Sequence, residues 1–250
     1  MKYITKTAIQ YSLFITGFFC LNSAIAAPPF IIDDPEPTEY KHLELYLFST
    51  MDKGSDGTAV QLPAIETDWG FAPNWQLHIS ASIAGNFPKE DVNTFFGAGD
   101  LETGITYRFI KETDNFPQIA IAPQIDWPMG NSERGLGNGR AWMKLPVWLK
   151  KSWGPWATYG GGGYAINSAS EKQNYAFAGW VIQRELSEKI TLGSEVYTQG
   201  ADSPDGQSYT IANLGGYYNL NKHFSFLLSV GHSIMGEEHT LGYFGIHWVS

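Results

Sequence analysis

The pair His78-Ile79-Ser80 is the most suggestive chemistry in the sequence. In an extended chain successive side chains leave on opposite sides, so His78 and Ser80 share a face. A histidine beside a hydroxyl is the start of nucleophilic catalysis: the imidazole takes the serine proton while a third polar group orients the ring. Polar alternation produces the same pair by chance, and His232-Ser233 lacks the spacing. The six histidines (His42, His78, His223, His232, His239, His247) stand singly. None has a tight ligand spacing with a carboxylate, so the sequence assigns no metal. The run Tyr159-Gly160-Gly161-Gly162-Gly163-Tyr164 is not a phosphate cradle, since no Lys-Ser and no helical pattern follow it. It reads as a bend or close approach in a sheet wall. No cofactor is expected.

The elements that must position these residues are strands. In Gln76–Ala84, Leu77, Ile79, Ala81 and Ile83 alternate with polar neighbours. In Asp100–Phe109, Leu101, Thr103, Ile105, Tyr107 and Phe109 share one face, and Asp100, Glu102, Thr106 and Arg108 the other. Gln118–Trp127 alternates likewise. Period two over about ten residues is a strand long enough, when tilted, to cross a bilayer core.

Short polar turns recur, each followed at once by a bulky residue: Trp75, Phe116, Trp156, Ile190 and Phe224, spaced by 41, 40, 34 and 34 residues. Between them lie longer, polar, Gly-rich connections: Asp52–Thr58, Gly85–Gly97, Met129–Gly139, Ser168–Lys172, Gly200–Gln207 and Met235–Glu238. Tight turns at one end and long loops at the other is the outer-membrane arrangement, with aromatics at one height forming a girdle. Counting Tyr40–Thr50 as the first strand and Thr240–Val249 as the last gives about twelve. The expected fold is all-β, an antiparallel up-and-down transmembrane β-barrel over residues 40–250. A soluble β-sandwich shares the alternation but not the loop asymmetry. The last strand ends on Ser250, so Trp248 takes the place of the usual terminal aromatic.

The first 26 residues read as a secretory leader: Lys2 and Lys6, the apolar Tyr11–Leu21, then Ala24-Ile25-Ala26 before cleavage. Cys20, the only cysteine, lies inside it, and Phe18-Phe19 before it fit a lipoprotein poorly. The mature chain is then cysteine-free, and the loss of two lysines takes the net charge from −9 to −11. Such a chain holds itself by burial and backbone bonding, and its acidity disfavours nucleic acid. Residues 27–39 form a periplasmic N-terminal tail; Ile31–Glu39, acidic and Pro-rich, either plugs the periplasmic mouth or is a disordered lead-in.

The opening Pro28-Pro29-Phe30-Ile31-Ile32-Asp33-Asp34-Pro35-Glu36-Pro37-Thr38-Glu39-Tyr40 and the later Leu43-Glu44-Leu45-Tyr46 resemble outer-membrane proteins of the meta-pathway phenol-degradation family. So do Gly99-Asp100-Leu101-Glu102, running into Tyr107-Arg108-Phe109, and Pro117–Pro128 followed by Gly135–Gly139. The resemblance implies a transmembrane barrel with a role in the passage of small compounds, aromatic ones among them.

If the apolar face meets outer-membrane lipid, Glu44, Glu66, Asp68, His78, Asp100, Glu102, Arg108, Gln124, Asp126, Lys144 and Glu195 line the lumen as candidate solute-binding groups. Carboxylates outnumber bases there, so a hydrated lumen favours cations. The alternative is that Arg108 and Lys144 pair with carboxylates and rigidify a filled barrel. On this assignment His78 and Ser80 face inward, whereas a lipid hydrolase needs its nucleophile toward lipid, so no enzyme is expected. Asn86–Gly97 and Met129–Gly135 are either recognition loops or mobile connections. The expected partners are lipid and a small solute, for a monomeric channel or uptake protein. The competing reading is a barrel with a structural or surface-interaction role and no transport.

Overall fold

The computed structural model describes residues 29–89 and 93–250. The leader, its cleavage site and Cys20 lie outside the described residues. Fourteen strand segments follow in chain order: β1 (Leu43–Gly54), β2 (Gly57–Ala72), β3 (Trp75–Pro88), β4 (Phe95–Ala98), β5 (Leu101–Ile110), β6 (Gln118–Ile121), β7 (Gln124–Trp127), β8 (Trp142–Trp153), β9 (Trp156–Ile166), β10 (Tyr175–Ser187), β11 (Ile190–Gln199), β12 (Tyr209–Asn219), β13 (Phe224–Gly236) and β14 (His239–Val249). β4 and β5 both pair with β3, and β6 and β7 both lie between β5 and β8. Each couple is one stave with an interruption, at Gly99-Asp100 and at Ala122-Pro123. The result is a closed antiparallel barrel of twelve staves.

Closure is made by β1 on β14, in register from Glu44↔Val249 to Gly54↔His239. An open edge in hydrocarbon would leave a row of unpaired amides and carbonyls at several kcal/mol each, so this ladder is what makes the wall possible in lipid. The outer surface is apolar: Leu214 is 65% exposed, Val230 61% and Leu228 59%. Each aliphatic side chain left in water forgoes roughly 1.5–3 kcal/mol of burial, so water is an unfavourable surrounding for this belt. At the turn end, Phe71, Trp75, Tyr107 and Phe109 touch in series, with Trp75 stacked on Tyr107 at 4.1 Å.

Strands run further into several connections than the polar residues suggest. Only Ser55-Asp56 separates β1 from β2, and β3 continues to Pro88. Ladder bonding continues past the apolar stretch, because polar side chains there meet water while the backbone still needs partners. The first strand begins at Leu43 rather than Tyr40, since the chain turns at 39–42. Lys41 adopts φ 72°, its N–H donates to Gly70 O at 2.7 Å, and His42 N–H donates to Glu39 O at 2.9 Å. The glycine run lies within β9, in register with β8 and β10. A Cβ at Gly161 would run into Val147 O and sit 3.1 Å from Trp148, and one at Gly163 would lie 2.6 Å from Leu145 O and 2.7 Å from Phe177, so the close approach is that of the β8 backbone and of large rings together.

Candidate functional site: the barrel interior

The turn at 39–42 reverses the chain, so that the tail runs inside the barrel rather than away from it. Thr38 donates its N–H to Gln76 Oε1 at 2.8 Å near the turn end. Glu36 pairs with Arg108, which also donates to Gln118 Oε1 at 3.1 Å and to Asn74 Oδ1 at 3.0 and 3.3 Å. Asp34 meets Lys150 at 2.7 Å, with the two side chains 0% and 3% exposed. Gln124 donates to Asp33 at 3.3 Å. The amides of Ile31 and Ile32 both donate to the Glu195 carboxylate, at 3.0 and 2.9 Å, and Ser229 donates to Pro29 O at 2.6 Å. A chain entering a closed wall must satisfy its own backbone groups there, and these wall residues do so.

Small residues make room for it. A Cβ at Gly179 would lie 2.8 Å from Ile32, and one at Gly193 2.9 Å from Phe30. Phe30 and Ile32 pack on Trp148, Tyr159, Phe177, Val181 and Tyr197. The interior is therefore not uniformly polar, as plain alternation implied: β8 to β11 turn an aromatic sector inward, and the tail's apolar residues cover it.

The charged sector lies on β1 to β8. Glu44 accepts from Tyr46 OH at 2.6 Å and meets His247 Nε2 at 3.0 Å, with His247 stacked on Tyr46. Asp68 lies 2.8 Å from His78 Nδ1, and Glu102 lies 3.0 Å from Nε2. Lys144 donates to the other oxygen of Glu102 at 3.2 Å. Asp126 sits opposite Glu102 in the ladder, with one buried oxygen unpartnered among the described residues. Glu66 lies 3.8 Å from His78.

Of the residues singled out in the sequence, Glu44, Glu66, Asp68, His78, Glu102, Asp126 and Lys144 thus gather in one network. Arg108, Gln124 and Glu195 are taken up by the tail. Asp100 stands apart at the stave break, where its carboxylate accepts Gly130 N–H at 2.9 Å and Asn138 N–H at 2.6 Å. It pins the 129–139 connection, which folds over the loop end with Leu136 only 5% exposed and Asn138 paired to Asn167. That connection is a tethered cover rather than a mobile loop. Sequence reasoning missed Lys150, Gln76 and Gln118, whose inward parity on β8, β3 and β6 was available as a signal.

Both ring nitrogens of His78 are committed to carboxylates, leaving none to deprotonate Ser80, and both residues sit on the inner face. The geometry has no nucleophile–base pair there.

Above the tail, a cavity of about 670 Å³ reaches from Pro29, Phe30 and Ile31 at its floor to Leu136, Lys172 and Asp202 at the loop end. Phe48, Trp142, Tyr175 and Tyr243 line it beside Glu66, Glu102 and Asp126. Aromatic walls with a few convergent charges are the usual build of a small-molecule site.

No family model and no curated protein matches the sequence. Solved structures match the fold. An outer-membrane channel from Pseudomonas putida F1 superposes with a TM-score of 0.73 at 12% identity, over 87% of this chain and 98% of that one. The NanC porin and a KdgM porin in complex with disordered oligogalacturonate each give 0.57 at 10% identity, over 82% of this chain and 98% of theirs.

Proposed function

We propose that this chain is a monomeric outer-membrane barrel through which small solutes enter, with its loop end outward and its tail closing the periplasmic half. The observation that carries the reading is the cavity itself: a chamber open toward the loops, floored by a chain segment that is not part of the wall. A tethered floor can leave without any wall bond breaking, which a filled barrel core cannot do. The carboxylates lining the chamber favour cationic or hydrogen-bonding solutes, and its aromatic rings suit flat apolar ones. The likeness to channels and porins supports the fold on which this rests.

The finer reading, a place among phenol-degradation barrels, gains support from what its sequence blocks do. The Asp-Asp-Pro opening is the tail inside the lumen, and the Gly-Asp-Leu-Glu block supplies the Asp100 loop tether and Glu102.

A barrel without transport is the second reading, favoured by the extent to which the tail fills the turn half. Planar-bilayer recording on the refolded mature chain separates the two. Stepwise conductance that grows when the tail is released by Lys150→Met supports passage. Silence from both proteins, over many verified insertions, refutes it.

A further inference from the structure

We propose that Glu66, Asp68 and His78 form a site for a divalent transition-metal ion of the zinc class, on the barrel wall at the side of the cavity. Glu66 and Asp68 are two apart on β2, and Asp68 lies opposite His78 on β3. One donor atom from each residue lies within 4.8 Å of the others. Metal–ligand bonds of roughly 2.0–2.2 Å put tetrahedral donors about 3.4 Å apart. The separations of 2.8 Å (Asp68 Oδ1 to Nδ1) and 3.8 Å (Glu66 Oε1 to Nδ1) bracket that value.

Three further features distinguish this from a chance gathering of acids. With the ring proton on Nε2, Glu102 accepts it, as the outer carboxylate of a metal-bound histidine usually does, and Nδ1, which now contacts Asp68 at 2.8 Å, is the nitrogen an ion would take in place of that contact. Two acceptors at 2.8 Å repel unless a proton or a cation lies between them. Glu66 is only 9% exposed, lines the cavity, and makes no hydrogen bond among the described residues. Its nearest cationic partner is the His78 ring at 3.8 Å, and a coordinated ion would compensate its charge at closer range. Lastly, Lys144 is held by Glu102, so it does not neutralise Glu66 and Asp68. A 2+ ion does so for both at once. One imidazole and two carboxylates suit zinc, cobalt or manganese better than calcium, and Glu66, which lines the cavity, puts the site at its edge.

The test uses the refolded, tag-free mature barrel in detergent micelles, titrated with Zn²⁺ alone by calorimetry. One equivalent should bind. Glu66→Gln should weaken binding at least tenfold, His78→Gln should abolish it, and Glu102→Gln should weaken it 10–100-fold. His239→Gln should leave it unchanged; His239 pairs with Asp52 at the loop end, away from the three ligands. Should a variant fail to fold, X-ray absorption on the zinc-loaded wild type decides, because a bound imidazole leaves a ring-scattering signature. Absence of binding, absence of that signature, or loss of binding in His239→Gln with none in His78→Gln, overturns the proposal.

Discussion

Replacing Lys150 by Met removes the cation that meets Asp34 at 2.7 Å and keeps a side chain of similar length. Both groups are almost wholly buried, so the carboxylate left behind has no counter-charge and keeps only the Glu36 N–H at 2.9 Å. Breaking one side of a buried pair costs ~3–5 kcal/mol. The chain joins the wall at the turn around Lys41, and the tail takes no part in the strand ladders, so the cost falls on its docking and spares the wall. At about 1.36 kcal/mol per tenfold, docking should weaken by roughly two to three and a half orders of magnitude. A reporter is available because the expected mature chain has no cysteine. Thr38→Cys keeps the backbone bond to Gln76 and is reached from the turn side; Thr38 itself is 4% exposed. Maleimide should label it slowly in the parent and at least a hundredfold faster with Lys150→Met. Adding Asp34→Asn should restore slow labelling, since it removes the stranded charge. Equal rates in parent and Lys150→Met, or no rescue by the second change, would refute the argument.

The same reporter checks three further expectations. Glu195→Gln keeps the shape but offers an NH₂ to one of the two tail amides, so docking should loosen by about 1–2 kcal/mol and labelling should rise about tenfold; no rise sinks the anchoring role. Gly179→Ala sets a methyl 2.8 Å from Ile32, and should speed labelling while heat-modifiable gel mobility shows an intact barrel; Ile32→Ala in the same chain should reverse it. Asp33 belongs to the tail, and its carboxyl is pushed up to about 6 chiefly by burial, with Lys144 pulling the other way. Docking therefore takes up a proton: this stabilisation is full below about pH 4 and is lost as pH rises through about 6. Labelling, normalised to a free control cysteine, should increase between about pH 4.5 and 7, and Asp33→Asn should flatten the profile.

Much of the wall was legible because a strand facing lipid on one side and an interior on the other must alternate. Leu77, Ile79 and Ile83 declare themselves that way on β3, and Ile105 and Phe109 on β5. The interruption at Gly99-Asp100 was not legible, since it arises from a stave meeting β3 and a folded-in loop at once. Nor was the aromatic sector. Trp148 and Phe177 occupy positions whose parity says inward, but a ring there reads as an exception until Phe30 and Ile32 arrive to cover it. The histidine cluster failed for a similar reason. Asp68 and His78 are ten residues apart with a turn between them, and only the β2–β3 register brings them face to face. Ligand spacing within one strand is readable; spacing across a pair needs the register first.

On the proposed reading, in which solutes pass when the tail undocks, the tail also changes what the lumen selects. Counting wall residues alone makes the interior acidic throughout, with Arg108 and Lys150 as partial compensation. In the docked state both bases are neutralised by tail carboxylates, Glu36 and Asp34, and add nothing to the field in the cavity. The chamber is lined by Asp52, Glu66, Asp100, Glu102, Asp126 and Asp202 against Lys172, with Lys144 bonded to Glu102; Asp100 is already occupied by loop amides and Asp202 by Lys172. When the tail withdraws, its own carboxylates leave with it, and Arg108 and Lys150 become free cations in the turn half. The open path is then acidic at the loop end and basic at the turn end, with the aromatic sector uncovered between them. Such a sequence of fields attracts cations into the mouth but does not favour their exit. It suits solutes that carry both signs, or none and a flat apolar face, and cation preference should therefore be weaker in Gly179→Ala channels, where the tail is loosened and Lys150 is kept, than simple carboxylate counting requires.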